Sequence, residues 1–104
     1  MTLEKLTQEN QGALIALMRE FYHSPAVLAP VPDAHFEATC AEILSGSPFA
    51  AAFLVREADE NAGYAQLSFP YSNEAGGMVV WIEELYIRPA FQNRGLGRAC
   101  LEQI

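Results

Sequence analysis

The chain has 104 residues, is 51% hydrophobic by count and carries a formal net charge of −7. Such a length and apolar content predict a single small globular domain, residues 1–104, with a modest core. Its scattered acids would repel phosphates and leave no basic stripe, so nucleic acid is excluded as an expected partner. The same surface keeps a protein soluble and could attract cationic amines. No run of about 18 apolar residues predicts a membrane span, and no basic segment precedes a long apolar one. A cytoplasmic location is the resulting expectation.

Leu3–Leu6 reads as a short first strand. Thr7 reads as the N-cap of a helix reaching about His23, with Leu14, Leu17, Met18 and Phe21 as its apolar stripe and Ile15 and Tyr22 beside it. Residues 24–32 contain three prolines and must be a loop, which packs on the core or walls a pocket. Asp33 is expected to cap a second helix that turns Phe36, Cys40, Ile43 and Leu44 inward and stops at Gly46 and Pro48. From Phe49 the period becomes two. Residues 49–57 predict a strand with Phe49, Ala51, Phe53 and Val55 on one face, and 59–63 a turn. Residues 64–71 predict a strand with Ala65, Leu67, Phe69 and Tyr71 on one side, and 72–77 a second turn. Residues 78–88 predict a long central strand, apolar on both faces and ended by Pro89. A last helix opens at Gly95, with Leu96, Cys100, Leu101 and Ile104 as its apolar positions. Strands joined by tight turns are antiparallel, so the fold class is α+β with a mainly antiparallel sheet flanked by helices.

Cys40 and Cys100 have no CxxC spacing, and both read as packed, reduced thiols. His23 and His35 have no partner at ligand spacing, so no metal site is expected.

The segment Gln92-Asn93-Arg94-Gly95-Leu96-Gly97 joins the long strand to the last helix. A Walker loop would end in Gly-Lys-Ser/Thr, but Arg98 follows Gly97. A dinucleotide fingerprint would place Gly or Ala where Cys100 stands. A glycine-opened helix start offers free N–H groups and the positive end of a dipole, which suit a pyrophosphate. Arg94 and Arg98, two of only six basic residues, flank that start. On the residues alone, a phosphate cradle and a plain helix start stand level.

Residues 83–104, EELYIRPAFQNRGLGRACLEQI, resemble the central segment of the GNAT acetyltransferase superfamily. The family's Gln/Arg-x-x-Gly-x-Gly/Ala loop is matched by Gln92, Gly95 and Gly97, and its strand end by Leu85, Tyr86, Ile87, Arg88 and Pro89. The upstream elements are similar to the branch that includes diamine acetyltransferases. This resemblance implies a GNAT fold and acetyl-CoA as co-substrate. It implies that backbone groups of Leu85, Tyr86 and Ile87 pair with the pantetheine arm. It implies that amides of Gln92, Asn93, Arg94, Gly95, Leu96, Gly97 and Arg98 bind the pyrophosphate. A small-molecule or peptide amine would enter near residues 24–32 and the turn after Tyr71.

Acetyl transfer to an amine needs a group that takes the amine's proton. By alternation Glu83 shares a face with Val79, Trp81, Leu85 and Ile87, the desolvated setting that suits a base, and Glu84 falls on the opposite face. The resemblance also implies an acid at this position. Glu83 is therefore the first candidate and Glu84 the second, with the order reversed if a bulge interrupts the strand. Family members usually continue beyond the equivalent of Ile104 with a further helix and strands, including a tyrosine that acts as general acid. The expectation is thus a GNAT domain truncated in the helix after the loop, or one whose free sheet edge is covered by a second copy or another chain. The alternative function is a catalytically inactive coenzyme A-binding or assembly domain of the same fold. Substituting Gly97→Val should weaken coenzyme A binding by blocking close approach to the loop; calorimetry showing unchanged binding would count against the cradle.

Overall fold

The computed structural model describes all residues from Met1 to Ile104. Its elements in chain order are β1 (Thr2–Lys5), α1 (Gln11–Tyr22), α2 (Asp33–Leu44), β2 (Ala50–Glu57), β3 (Glu60–Ser68), β4 (Tyr71–Ser72), β5 (Gly77–Met78), β6 (Trp81–Ile87) and α3 (Leu96–Gln103), with a single 3-10 turn at Pro89–Phe91. The expected α+β class, with a mainly antiparallel sheet flanked by helices, is the one observed.

Several element ends differ from the sequence reading for local reasons. Helix α1 starts four residues after Thr7. Thr7 Oγ1 accepts from the Asn10 N–H at 3.2 Å while Asn10 Oδ1 accepts from the Thr7 N–H at 2.7 Å, which closes a separate turn. Asp33 is the first helical residue of α2, not its cap, and its carboxylate pairs with Arg19 at 2.9 Å. The turn expected over 59–63 is only two residues long. Ala58 and Asp59 both take positive φ, 50° and 63°, the backbone of a tight hairpin turn, so β3 begins at Glu60. The strand expected over 78–88 is broken: Val79 donates back to the Pro70 carbonyl at 2.9 Å, and β6 starts at Trp81.

The main sheet has the order β1-β2-β3-β6, with every neighbouring pair antiparallel. Strand β6 is an edge strand. Its register against β3 runs Gln66↔Glu84 and then Leu67↔Ile82, so Glu83 is an extra residue without a partner. That is a β-bulge. Both faces of the sheet are covered. On one face α1 and α2 pack Leu14, Leu17, Met18, Phe36 and Cys40 against Ala52, Leu54, Tyr64 and Tyr86. On the other, α3 and the 3-10 turn pack Leu96, Cys100 and Phe91 against Val55, Ala62 and Ala65. The one-face reading of β2 was therefore incomplete, because Ala52 and Leu54 are as buried as Val55. In α3, Leu96 and Cys100 are buried, whereas Leu101 and, just past the helix end, Ile104, both expected on its apolar side, are exposed.

Gly63, expected in a turn, lies inside β3 opposite Ile87. A Cβ there would overlap the Tyr86 carbonyl oxygen and reach 3.0 Å from the Ile87 Cα. Backbone cannot swing aside as a side chain can, so only glycine lets β6 approach this closely. Gly63→Ala should destabilise the fold by about 1–3 kcal/mol, as overpacking does. Urea denaturation should show the loss as a lower midpoint; an unchanged midpoint would mean that β6 is not held here.

Candidate coenzyme A and acceptor site

The candidate site begins at the free edge of β6. The Arg88 N–H donates to the Ala62 carbonyl at 2.8 Å, so alternation along an antiparallel pair turns the Leu85 and Ile87 backbone groups away from β3. The Gln92 side-chain amide donates to the outward Ile87 carbonyl at 2.8 Å. Beside this edge is a cleft of about 440 Å³. Leu85, Tyr86 and Ile87 line one wall, Phe21 and residues 24–26 the other, and Pro89 and Gln92 its end. Part of the proline-rich loop thus walls a pocket, one of the two roles expected for it, while Leu28 is almost fully exposed.

Past the cleft the backbone turns into α3. Phe91 and Leu96 are buried and pin the two ends of the loop. Between them Asn93 and Gly95 take left-handed backbone, φ 64° and 75°. Asparagine tolerates that region and glycine adopts it without strain. The N–H groups of Asn93, Arg94 and Gly95 have no acceptor within the chain. Those of Leu96, Gly97 and Arg98 form the first turn of α3, which has no internal acceptors, and the first bond closing back is Ala99 N–H to Gly95 carbonyl at 3.0 Å. The space where a Gly97 side chain would point is open. The Arg94 guanidinium lies over the Phe91 ring, 5.4 Å from its centroid. Arg98 pairs with Glu102 at 3.2 Å and remains largely exposed.

Further along β6, the two acids exchange the surroundings expected of them. Glu83, at the bulge, is exposed and accepts a hydrogen bond from Ser68 Oγ at 3.1 Å. The short helix α3 covers Leu85 and Ile87 but leaves Trp81, Ile82 and Glu83 open to solvent. Glu84 points to the face that α1 covers. There the Tyr22 hydroxyl donates to its Oε2, and the Tyr64 hydroxyl donates to its Oε1 at 2.8 Å. The enclosed carboxylate is Glu84, not Glu83.

Sequence reasoning missed Tyr22 and Tyr64 as its partners, and Glu20, whose Oε1 accepts from the Tyr86 hydroxyl at 2.8 Å. The signal was present in part. Tyr22 flanks the α1 stripe, and Tyr64 and Tyr86 are cross-strand partners whose ring centroids lie 6.2 Å apart. Around them Phe21 packs on Tyr86 with ring centroids 5.2 Å apart and edge-on to Tyr64 at 6.2 Å. Burial, followed by the hydrogen bond to Glu84, pushes the Tyr22 hydroxyl up to about 12. Burial, followed by the hydrogen bond to Glu20, takes Tyr86 up to about 12, and Arg88 opposes that rise. Tyr64 is raised by burial first and then by the charge of Glu84.

A model described as the acetyltransferase (GNAT) family matches residues 13–104. The chain belongs to the GNAT acetyltransferase family. Among solved structures, this GNAT chain is similar to an integron cassette protein from the mobile metagenome of Cole Harbour Salt Marsh. The two share 26% identity and a TM-score of 0.82, over 97% of this chain and 65% of that one. AAC(6')-Iy in complex with the bisubstrate analog CoA-S-monomethyl-acetylneamine matches at 20% identity and TM-score 0.78, over 98% of this chain and 67% of that one. The aminoglycoside 6'-N-acetyltransferase AAC(6')-IG from Acinetobacter haemolyticus matches at 14% identity and TM-score 0.77, over 99% and 68%. At such identities the last two show the shared fold. The GNAT chain thus spans about two thirds of the length of these structures. No curated protein matches it. No helix is long and apolar enough to cross a membrane.

The tyrosine hydroxyls predict a dependence on alkaline pH. Their folded values, about 12, lie above the ordinary 10, so folding favours the protonated form. That stabilisation is complete below pH 10 and is lost as pH rises from 10 through 12. Thermal unfolding followed across this range should show a falling midpoint, and Tyr22→Phe should make the fall shallower. A midpoint independent of pH above 10 would contradict the burial of these hydroxyls and, with it, their bonds to the carboxylates.

Proposed function

We propose that this chain forms the coenzyme A-binding part of an N-acetyltransferase that moves an acetyl group from acetyl-CoA to a primary amine. The observation that carries the proposal is the continuity of the site. An outward backbone edge at Leu85–Ile87, a cleft beside it and a loop of free N–H groups at Asn93–Arg98 follow one another along the chain. A long ligand with amides in the middle and a pyrophosphate at one end matches that sequence of groups. Related proteins of this fold have been solved with CoA (AAC(6')-Iy) and with acetyl-CoA (a protein from Clostridium acetobutylicum).

In this reading the pyrophosphate lies on the amides of Asn93–Arg98, with Gln92 at the entry to the loop. Arg94 and Arg98 add positive charge beside it. The pantetheine arm runs along β6 and pairs with the outward backbone groups of Leu85 and Ile87; Tyr86, expected to join them, has its backbone turned into the pairing with Tyr64 and only lines the cleft. The outward N–H groups of that edge polarise the thioester carbonyl. The amine nitrogen attacks the carbonyl carbon, a C–N bond forms, the C–S bond breaks, and the amine gives up a proton while the thiolate gains one. In this reading Glu84 takes up the amine's proton by way of the Tyr22 hydroxyl, since Tyr64 is fully buried, and Glu83, exposed at the bulge, meets the incoming cation. The acceptor is a small-molecule or peptide amine that approaches from residues 24–26 and the β4–β5 hairpin.

A specific observation supports the second reading, an inactive coenzyme A-binding domain: both Glu84 oxygens are already bonded to tyrosine hydroxyls. Thiol release from acetyl-CoA with a panel of amines separates the two. Release above the amine-free rate supports the enzyme, and coenzyme A binding without release supports the binding domain. For the enzyme, Glu84→Gln should lower turnover at least about tenfold, as removal of a general base does, with little change in coenzyme A affinity. Glu83→Gln should affect mainly the KM of the amine. The reverse pattern would reassign the base to Glu83.

A further inference from the structure

Two carboxylate–tyrosine pairs tie the last turn of α1 to β6, and they point in opposite directions. Tyr22 of α1 reaches Glu84 of β6, and Tyr86 of β6 reaches Glu20 of α1. Between them Phe21 lies against the Tyr86 ring. The Glu20 carboxylate also accepts from Arg88 Nε at 3.2 Å, so it holds residues on both sides of Ile87. The cleft wall at 24–26 continues the same turn of α1. Ser24 donates to the Phe21 carbonyl through its backbone N–H at 3.0 Å and through Oγ at 2.6 Å, and the Val27 N–H returns to Ser24 at 3.2 Å. One wall is therefore hydrogen-bonded to the end of α1, and the facing wall, Leu85–Ile87, belongs to β6.

We infer that Glu20 is a positioning residue that sets the width of the cleft by locking α1 to Tyr86 and Arg88. This rests on the coenzyme A reading of the cleft. Glu20 and Arg88 are 38% and 43% exposed, and surface ion pairs of that kind contribute little to stability. Loss of Glu20 should accordingly leave the fold standing while the two walls lose their fixed separation. Ligand affinity, which depends on a preorganised cleft, should respond more than the fold does.

The test compares wild type, Glu20→Ala, Glu20→Gln and Tyr86→Phe in coenzyme A binding by calorimetry, thiol-release kinetics with acetyl-CoA, and thermal unfolding. Glu20→Ala should weaken coenzyme A binding and raise the KM for acetyl-CoA by roughly five- to tenfold, with kcat changed less than about twofold. Glu20→Gln retains an acceptor for the Tyr86 hydroxyl and should recover most of the loss, and Tyr86→Phe should reproduce part of it. If Glu20→Ala unfolds, the two milder variants carry the test. Weakened binding in Tyr86→Phe at an unchanged melting midpoint supports the assignment. Unchanged binding in every folded variant overturns it. Failure of the wild type to bind coenzyme A overturns the reading of the cleft, and this assignment with it. Wild-type binding with unaffected variants overturns the role of Glu20 alone.

Discussion

The pairing of β3 with β6 carries one extra residue, Glu83, and the arrangement of the site follows from it. Below the bulge, β6 is exposed and its side chains stand in solvent. Above it, Glu84 and Tyr86 turn toward α1, and Leu85 and Ile87 turn toward α3. Strand pleating allows no other choice once the register is set. Glu84, on the α1 face, is therefore enclosed, while Glu83, unpaired at the bulge and beyond the reach of α3, is left exposed. Gly63 holds the same pairing closed at its other end, where β6 passes so near β3 that a side chain has no room.

The sheet is narrow, and the cleft read as the cofactor site lies along its edge strand. With β3 on one side only, β6 keeps backbone donors and acceptors facing outward at Leu85 and Ile87. An edge of this kind is normally a liability, since it invites pairing with other chains. Here the cleft wall at residues 24–26 stands across it, and the Gln92 side chain occupies the Ile87 carbonyl.

Polar groups between α1 and β6 are organised as tyrosine–carboxylate pairs and not as isolated charges. A hydroxyl donor offsets the desolvation of a carboxylate without burying a second charge. Burial also raises the tyrosines themselves, so they remain donors across the neutral range. The same side chains contribute apolar ring surface to the core. Packing and polar satisfaction are therefore met by the same residues, Tyr22, Tyr64 and Tyr86.

The α+β class, the order of the long elements and the glycine-opened helix after β6 were legible in the sequence, because periodicity, proline and glycine are local signals. The apolar stripes of α1 and α2 were legible for the same reason. Element ends were less so. Thr7 bonds to Asn10 and not to a helix, Asp33 sits inside α2, and the turn at Ala58–Asp59 takes positive φ in residues that do not advertise it. Asn93 to Arg98 could be named as a loop with free amides, since a helix start leaves them free whatever surrounds it, but Gln92, expected to join them, spends its N–H on the Pro89 carbonyl at 3.3 Å. Alternation put Glu84 on the face of Tyr86 and Glu83 on the other, but it could not show that α1 covers the first face here while the short α3 leaves Glu83 open. The partners Tyr22, Tyr64 and Glu20 lie 62, 20 and 66 positions from the residues they bind, a separation no local pattern spans. By itself the sequence determined what depends on neighbours along the chain: the elements and the amide loop. Only the tertiary structure decided what depends on neighbours across it. Those are the register of β6, the enclosure of Glu84 and the clasp that joins the cleft walls, all of which exist only once separate strands and helices share a face.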